Sequence, residues 1–139
     1  MTDYHADTCA LITGGTQGLG LAIAREMIAQ GCKQLVLASI DTQTGPSVAA
    51  ELSVDGVTAH FLHVDMGDHA AAARMVDEAA GLMGRVTALV NGAAIMDRGS
   101  ILDTTPELWD RVMEVNAKGP FFALQRFAQR CVDEGIAGT

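Results

Sequence analysis

The sequence predicts an α/β fold, a doubly wound parallel sheet with helices on both faces. Three observations carry this. Short aliphatic runs alternate with longer amphipathic ones, most of those runs are apolar at nearly every position, and the first leads through a glycine-rich turn into a helix. At 139 residues the chain fits one domain with a buried core. Hydrophobic residues make up 49% and aromatics only 4%, so Ala, Val, Leu, Ile and Met must fill that core.

Thr8–Thr13, Gln34–Ser39, Thr58–Val64 and Thr87–Asn91 read as strands. The first, second and fourth are near-continuously apolar, as strands covered on both faces should be. Gly18–Gln30 reads as a helix with Leu19, Ile23 and Met27 on one stripe and Gly31 as its stop. Thr44–Leu52 is a shorter helix. Asp68 is placed to cap a helix that runs to Met83 and closes at Gly84. Thr105 with Pro106 opens a last helix, which carries Trp109, Val112, Met113, Phe121, Phe122 and Phe127. Right-handed crossovers then give the strand order 3-2-1-4, with ligands at the carboxyl ends of the strands. A fifth strand is expected beside the fourth. Without it Leu89 and Val90 form an open edge, and the last helix loses partners on its sheet-facing side, so the chain is expected to self-associate.

Composition also excludes. A net charge of -8 gives no support to nucleic acid or an anionic membrane as partner. The first residues, MTDYHAD, are polar and acidic, with no signal peptide or membrane span following. Cys9, Cys32 and Cys131 lack metal-type spacing and fit small buried hydrophobes in a reducing compartment, so the expected location is cytoplasmic. His60 and His63, three apart on a strand, lie on opposite faces and cannot chelate together, so no metal is expected. The acidic residues of Asp103–Glu114 read as a solvated helix face.

The sharpest feature is TGGTQGLG, Thr13 to Gly20, at the junction of the first strand and first helix. A pyrophosphate needs a tight turn, close backbone approach and a helix N-terminus aimed at its charge. Gly14 supplies the turn, Gly18 the approach and Gly20 the packing of helix on strand, while Thr16 and Gln17 gain room to reach a ligand. A glycine-rich turn with no ligand is the bland alternative, but glycine costs about 1 kcal/mol at each helical position. A second feature is Pro120. It lacks an N–H for the carbonyl four residues earlier, that of Asn116, which is left free to hold a water. An ordinary proline kink is the competing reading.

Together these motifs resemble the short-chain dehydrogenase/reductase family. Its fingerprint Thr-Gly-x-x-x-Gly-x-Gly is matched at Thr13, Gly14, Gly18 and Gly20. Its Asn-Asn-Ala-Gly signature appears as Asn91-Gly92-Ala93-Ala94, with the second Asn and the Gly replaced. VNAKGPFF, Val115 to Phe122, resembles the segment that carries the family's catalytic Asn, here Asn116, whose carbonyl anchors a proton-relay water. From the residues alone Asp65 is a ligand or a turn former; the resemblance makes it the reader of the adenine amino group. It gives Asn91 a role in holding the central sheet. The implied cofactor-binding set is Thr13, Gly14, Thr16, Gln17, Gly18, Leu19, Gly20, Ser39, Asp65, Met66, Asn91 and Ala93.

The resemblance implies a Rossmann-type NAD(P)-binding domain over residues 1–139, truncated after the fourth strand and following helix. It implies hydride transfer with an alcohol or ketone, and a homo-oligomer formed through the last helix. The family's remaining machinery, a Ser and a Tyr-x-x-x-Lys pair, is missing: the one tyrosine is Tyr4, and Lys33 and Lys118 follow no tyrosine. The expectation is the nucleotide-binding half of an oxidoreductase, inactive alone. The alternative is a nucleotide-binding or interaction module that never transfers hydride. A methyltransferase on a similar sheet would want an acid ending the second strand, where Ser39 stands. For the cofactor, Ser39 and Ile40 meet neither the acidic NAD signature nor the basic NADP one, and Gln17 occupies a position often basic in NADP users. No Lys or Arg occurs from Gln34 to Ala73, so the reading leans to NAD, through Ser39 and Asp41. Substrate identity is not legible, although Ile95–Thr104 would line one wall of its pocket.

Overall fold

The computed structural model describes residues 3–97 and 99–139. In chain order the elements are β1 (Cys9–Thr13), α1 (Gly18–Ala29), β2 (Gln34–Ser39), α2 (Gly45–Leu52), β3 (Thr58–His63), α3 (His69–Met83), β4 (Ala88–Asn91) and α4 (Pro106–Met113). A π-wound turn, Glu114–Lys118, then leads into α5 (Gly119–Glu134). The four strands are parallel in the order β3-β2-β1-β4, as the alternation of runs predicts.

The sheet is covered on both faces because its side chains alternate. Ala10 and Ile12 of β1 and Leu35 and Leu37 of β2 join Ala24 and Met27 of α1 and Ala49 and Leu52 of α2. Leu11 and Val36, one residue out of phase, join Met75, Val76 and Ala79 of α3 and Ala123 and Phe127 of α5. Every β1 residue is buried, as a central parallel strand should be. Cys9 and Cys32 are buried free thiols, and burial pushes the Cys32 thiol up from its ordinary range.

Local signals placed the helix ends. The Asp68 carboxylate accepts from the N–H groups of Ala70 and Ala71, both at 3.0 Å, and Gly84 closes α3 at φ 86°. The Thr105 hydroxyl accepts from Leu108 N–H ahead of Pro106. Two expectations are corrected. Leu19 does not belong to the buried stripe of α1, which is Gly20, Ala24 and Met27; it is 76% exposed on the first turn. The single last helix is two, because Pro120 has no N–H to donate and its ring crowds the preceding turn. The chain widens there, and Gly119 N–H bonds the carbonyl five residues back, at Glu114.

The outer edge of β4 is partly occupied. Thr139 N–H donates to Thr87 and Leu89 N–H donates to Thr139, which is one rung of a parallel ladder. Leu89 and Val90 are half-buried. Phe127, expected among the unpartnered residues, is buried against α3 and the sheet, while α4 buries no residue and leaves Trp109 and Met113 exposed. Among the described residues no helix is long and apolar enough to cross a membrane.

An ion cluster joins α3 to α5. Asp77 accepts from Arg126 Nη2 at 2.8 Å and from Arg130 Nη1 at 3.0 Å. The Arg126 hydrogen bonds, supported by Arg130, hold the Asp77 carboxyl below the usual carboxylate range. Asp68 and Asp41 are lowered as well, by hydrogen bonds from Ala71 N–H and from the Thr44 hydroxyl respectively. A folded-state value below the unfolded one stabilises the fold fully above the unfolded carboxylate range, roughly pH 4, and that stability is lost as pH falls through the lowered values. The melting temperature should therefore drop on acidification below that range. Asp77→Asn should melt lower than wild type at pH 7 and show a shallower acid limb. Equal acid limbs in a pH series of thermal melts would refute the assignment.

Candidate functional site

The chain reverses its winding between β1 and β4, so the segments leaving their carboxyl ends diverge and open a crevice. A cavity of about 360 Å³ lies there. Its floor is the β1–α1 turn, its walls the ends of β2 and β3, and its far side Ala93–Ile95 with Arg111 and Val115.

The turn is built by close backbone approach. Gly14 N–H donates to the Ala38 carbonyl at 2.8 Å, which ties the turn to the end of β2. Gly14 has φ 65°, and a Cβ there would lie 2.9 Å from the Ala93 backbone. A Cβ on Gly20 would collide with the Gly14 carbonyl, so Gly20 does provide tight packing of the helix, against the turn. Gly18, at φ 52°, has no heavy atom within 4 Å of where a Cβ would point, which leaves open space over the start of α1. Among the described residues no side chain caps that helix, and its first turn holds no acid, so its positive end is open to an anion.

Nine of the twelve predicted binding residues line the cavity: Gly14, Gln17, Gly18, Leu19, Gly20, Ser39, Asp65, Met66 and Ala93. Thr13, Thr16 and Asn91 do not. Thr16 is 4% exposed beneath the loop, and among the described residues its hydroxyl has no partner. Asn91 stands in register with Thr13, yet its side chain makes no hydrogen bond among the described residues. The tie between the two strands comes from Thr13 instead. Its Oγ1 accepts from the N–H groups of Gly92 and Ala93, both at 3.1 Å. Gly92, the replaced position of the signature, packs where a Cβ would lie 2.7 Å from the Thr13 carbonyl.

Asn116 is not on the cavity wall. Its amide clamps the backbone of Ile95: Oδ1 accepts from Ile95 N–H at 2.8 Å and Nδ2 donates to the Ile95 carbonyl at 2.6 Å. That clamp holds the loop after β4. Beyond Ile95 the expected substrate wall turns outward, with Met96, Ile101 and Leu102 each at least 81% exposed; Arg98 lies outside the described residues. Asp41, offered as a ribose ligand, is engaged elsewhere: it accepts from the N–H groups of Gln43 and Thr44 and from the Thr44 hydroxyl, ahead of α2. The Ser39 hydroxyl accepts from Asp41 N–H at 3.1 Å and keeps its own proton to donate.

Arg111 escaped the sequence reading. It enters the cavity from α4 and reaches both oxygens of Asp65 at 3.2 Å, so the region without Lys or Arg receives a cation from 46 residues away. No local pattern announced it.

A family model described as short chain dehydrogenase matches residues 8–139. The chain belongs to the short-chain dehydrogenase/reductase family. It is 33% identical over its whole length to an NADP-dependent (R)-specific alcohol dehydrogenase of Lentilactobacillus kefiri, of which it covers 54%. LigO in its apo form, from Sphingobium, superposes with a TM-score of 0.86 at 31% identity, over 99% of this chain and 51% of that one. A Burkholderia cenocepacia short chain dehydrogenase in complex with NADP gives a TM-score of 0.84 at 31% identity, over 88% and 50%. The chain thus spans about half the length of these relatives.

The Thr13 hydroxyl gives a direct test of the site's framework. Thr13→Val strands two N–H groups at a residue 1% exposed and should cost about 1–3 kcal/mol in urea unfolding, whereas Thr13→Ser should cost far less. Equal losses for the two variants would contradict the role given to the oxygen.

Proposed function

We propose that this chain binds NAD(P) across the crevice between β1 and β4. In that reading it forms the nucleotide half of an oxidoreductase that passes a hydride between the cofactor and an alcohol or ketone. The observation that carries it is the uncapped N-terminus of α1, opening through Gly18 onto a cavity that ends at Asp65. The residues fit such a ligand. The α1 N-terminus and the Gly14–Gly20 turn would hold the pyrophosphate, Ser39 a ribose hydroxyl and Asp65 the adenine amino group. When bound, the nicotinamide ring supplies or accepts the hydride. Asn116 holds Ile95, and with it the loop that bounds the nicotinamide end. Pro120 denies the Asn116 carbonyl an α-helical donor, and in this reading that oxygen would hold the water of a proton relay.

Proton transfer needs an acid/base group within reach, and among the described residues no tyrosine or lysine lines the cavity. Tyr4 is 74% exposed and groups with Thr8, Arg85 and Thr87 at the amino ends of the strands, the opposite end of the sheet from the cavity. That favours inactivity of the 139-residue chain by itself, and it is also the observation behind a second reading, a nucleotide-binding module that never catalyses. The lean to NAD has lost a support, since Asp41 is engaged ahead of α2. One relative is named NADP-dependent and another holds NADP. The cofactor is accordingly taken as NAD(P), with no preference assigned. Exposed Trp109, Met113, Phe121 and Leu124 on α4 and α5 favour self-association through those helices. A cytoplasmic location accords with three free cysteines.

Fluorescence titration of the purified chain with NADH and NADPH should give saturable binding of at least one. Gly18→Val, which fills the open approach and strains a positive φ, should weaken it by about tenfold or more. No reduction of NAD(P) by a panel of alcohols should be detectable. Absence of binding to either nucleotide would overturn the proposal, and turnover by the chain alone would overturn its inactivity.

A further inference from the structure

We propose that Arg111 is a positioning residue, which fixes the Asp65 carboxylate as the reader of an adenine amino group and ties that reader to the helix leading to Asn116. The proposal rests on the nucleotide-binding reading above. Asp65 and Arg111 are the charged residues on the cavity wall, and they meet on it, Asp65 from the loop after β3 and Arg111 from α4.

Three observations set the geometry. Arg111 Nη2 reaches both carboxylate oxygens at 3.2 Å, and Gly67 N–H donates to Oδ1 at 2.8 Å. Oδ1 therefore has two donors and Oδ2 has one, so the remaining acceptor capacity lies mainly on Oδ2. A carboxylate held from two sides cannot rotate to serve a donor arriving from another direction, and its charge stays fixed at one point on the wall. Gly67 is part of the device. A Cβ there would meet Arg111 Nη1, so any side chain at position 67 would make the guanidinium shift from its place against Asp65.

Stability explains little of this pair. The Arg111 and Asp65 side chains are 44% and 45% exposed, and a pair so wet contributes little to folding. Its position gives it another use. Arg111 lies at the end of α4, which runs directly into the π-wound turn where Asn116 grips Ile95. One continuous segment thus touches the adenine end of the cavity through Arg111 and fixes its far wall through Asn116. An adenine amino group taken by Oδ2 would complete the set of donors around the carboxylate. A hypoxanthine base would bring an oxygen to the same place, lone pairs against lone pairs.

The test compares NADH with its hypoxanthine analogue, which carries a carbonyl in place of that amino group and a proton on the adjacent ring nitrogen, on the 139-residue chain. Wild type should bind NADH about tenfold or more tightly than the analogue, because a site built for a donor rejects a ligand without it. Arg111→Met should narrow the ratio to about threefold or less, with Arg111→Lys in between. Gly67→Ala, which crowds the guanidinium and leaves its charge, should narrow the ratio too, and it keeps the test open if Arg111→Met misfolds. A merely structural role would weaken both ligands alike and leave the ratio intact, and that result would overturn the proposal. Failure of wild type to bind either compound would instead overturn the nucleotide reading and take this one with it.

Discussion

Everything at the carboxyl end of the sheet depends on how closely three stretches of backbone approach one another. The turn after β1, the start of α1 and the loop after β4 meet where side chains would separate them, at Gly14, Gly20 and Gly92. Such an approach brings peptide dipoles together without water, so their N–H groups need acceptors at once. Thr13 provides one. Its hydroxyl takes two N–H groups of the β4 loop from a fully covered position on β1. The crevice exists because this knot holds β1 and β4 side by side while the chain leaves them in opposite directions.

Strands and helix ends were legible because their causes are local. Fully covered strands must be apolar at every position, and the runs at Cys9–Thr13 and Gln34–Ser39 could satisfy nothing else. Asp68 and Gly84 act on their own neighbours, so their effect is visible within a few residues. The glycine motif was legible for the same reason. Its place at the cavity could be read from spacing, since most of its residues reach the cavity wall.

What escaped the sequence is what depends on distance. Arg111 meets Asp65 only because α3, β4 and α4 return the chain across the sheet. Asp41 looked available because it comes just after β2, but its carboxylate finds three donors within the next three residues, and local hydrogen bonds outcompete a ligand. Leu19 carried the right helical phase and the wrong height: the first turn of α1 overhangs the crevice rather than the core. For Asn91 the register was right and the hydrogen bond belonged to its neighbour across the ladder.

The last helix shows how one missing N–H propagates. A straight helix through Pro120 would press its ring on the Asn116 carbonyl, and the π-wound turn relieves that contact by adding a residue to the turn. The extra residue rotates α5 relative to α4. Ala123 and Phe127 therefore face the sheet and α3, with Gly119 close against the Met66 carbonyl, while α4 is left with no buried residue at all. The same widening puts Asn116 where its amide can span both polar groups of Ile95. The exposed apolar residues of α4 are thus the counterpart of the site's geometry: the phase shift that places Asn116 against the β4 loop also denies α4 a seat on the core.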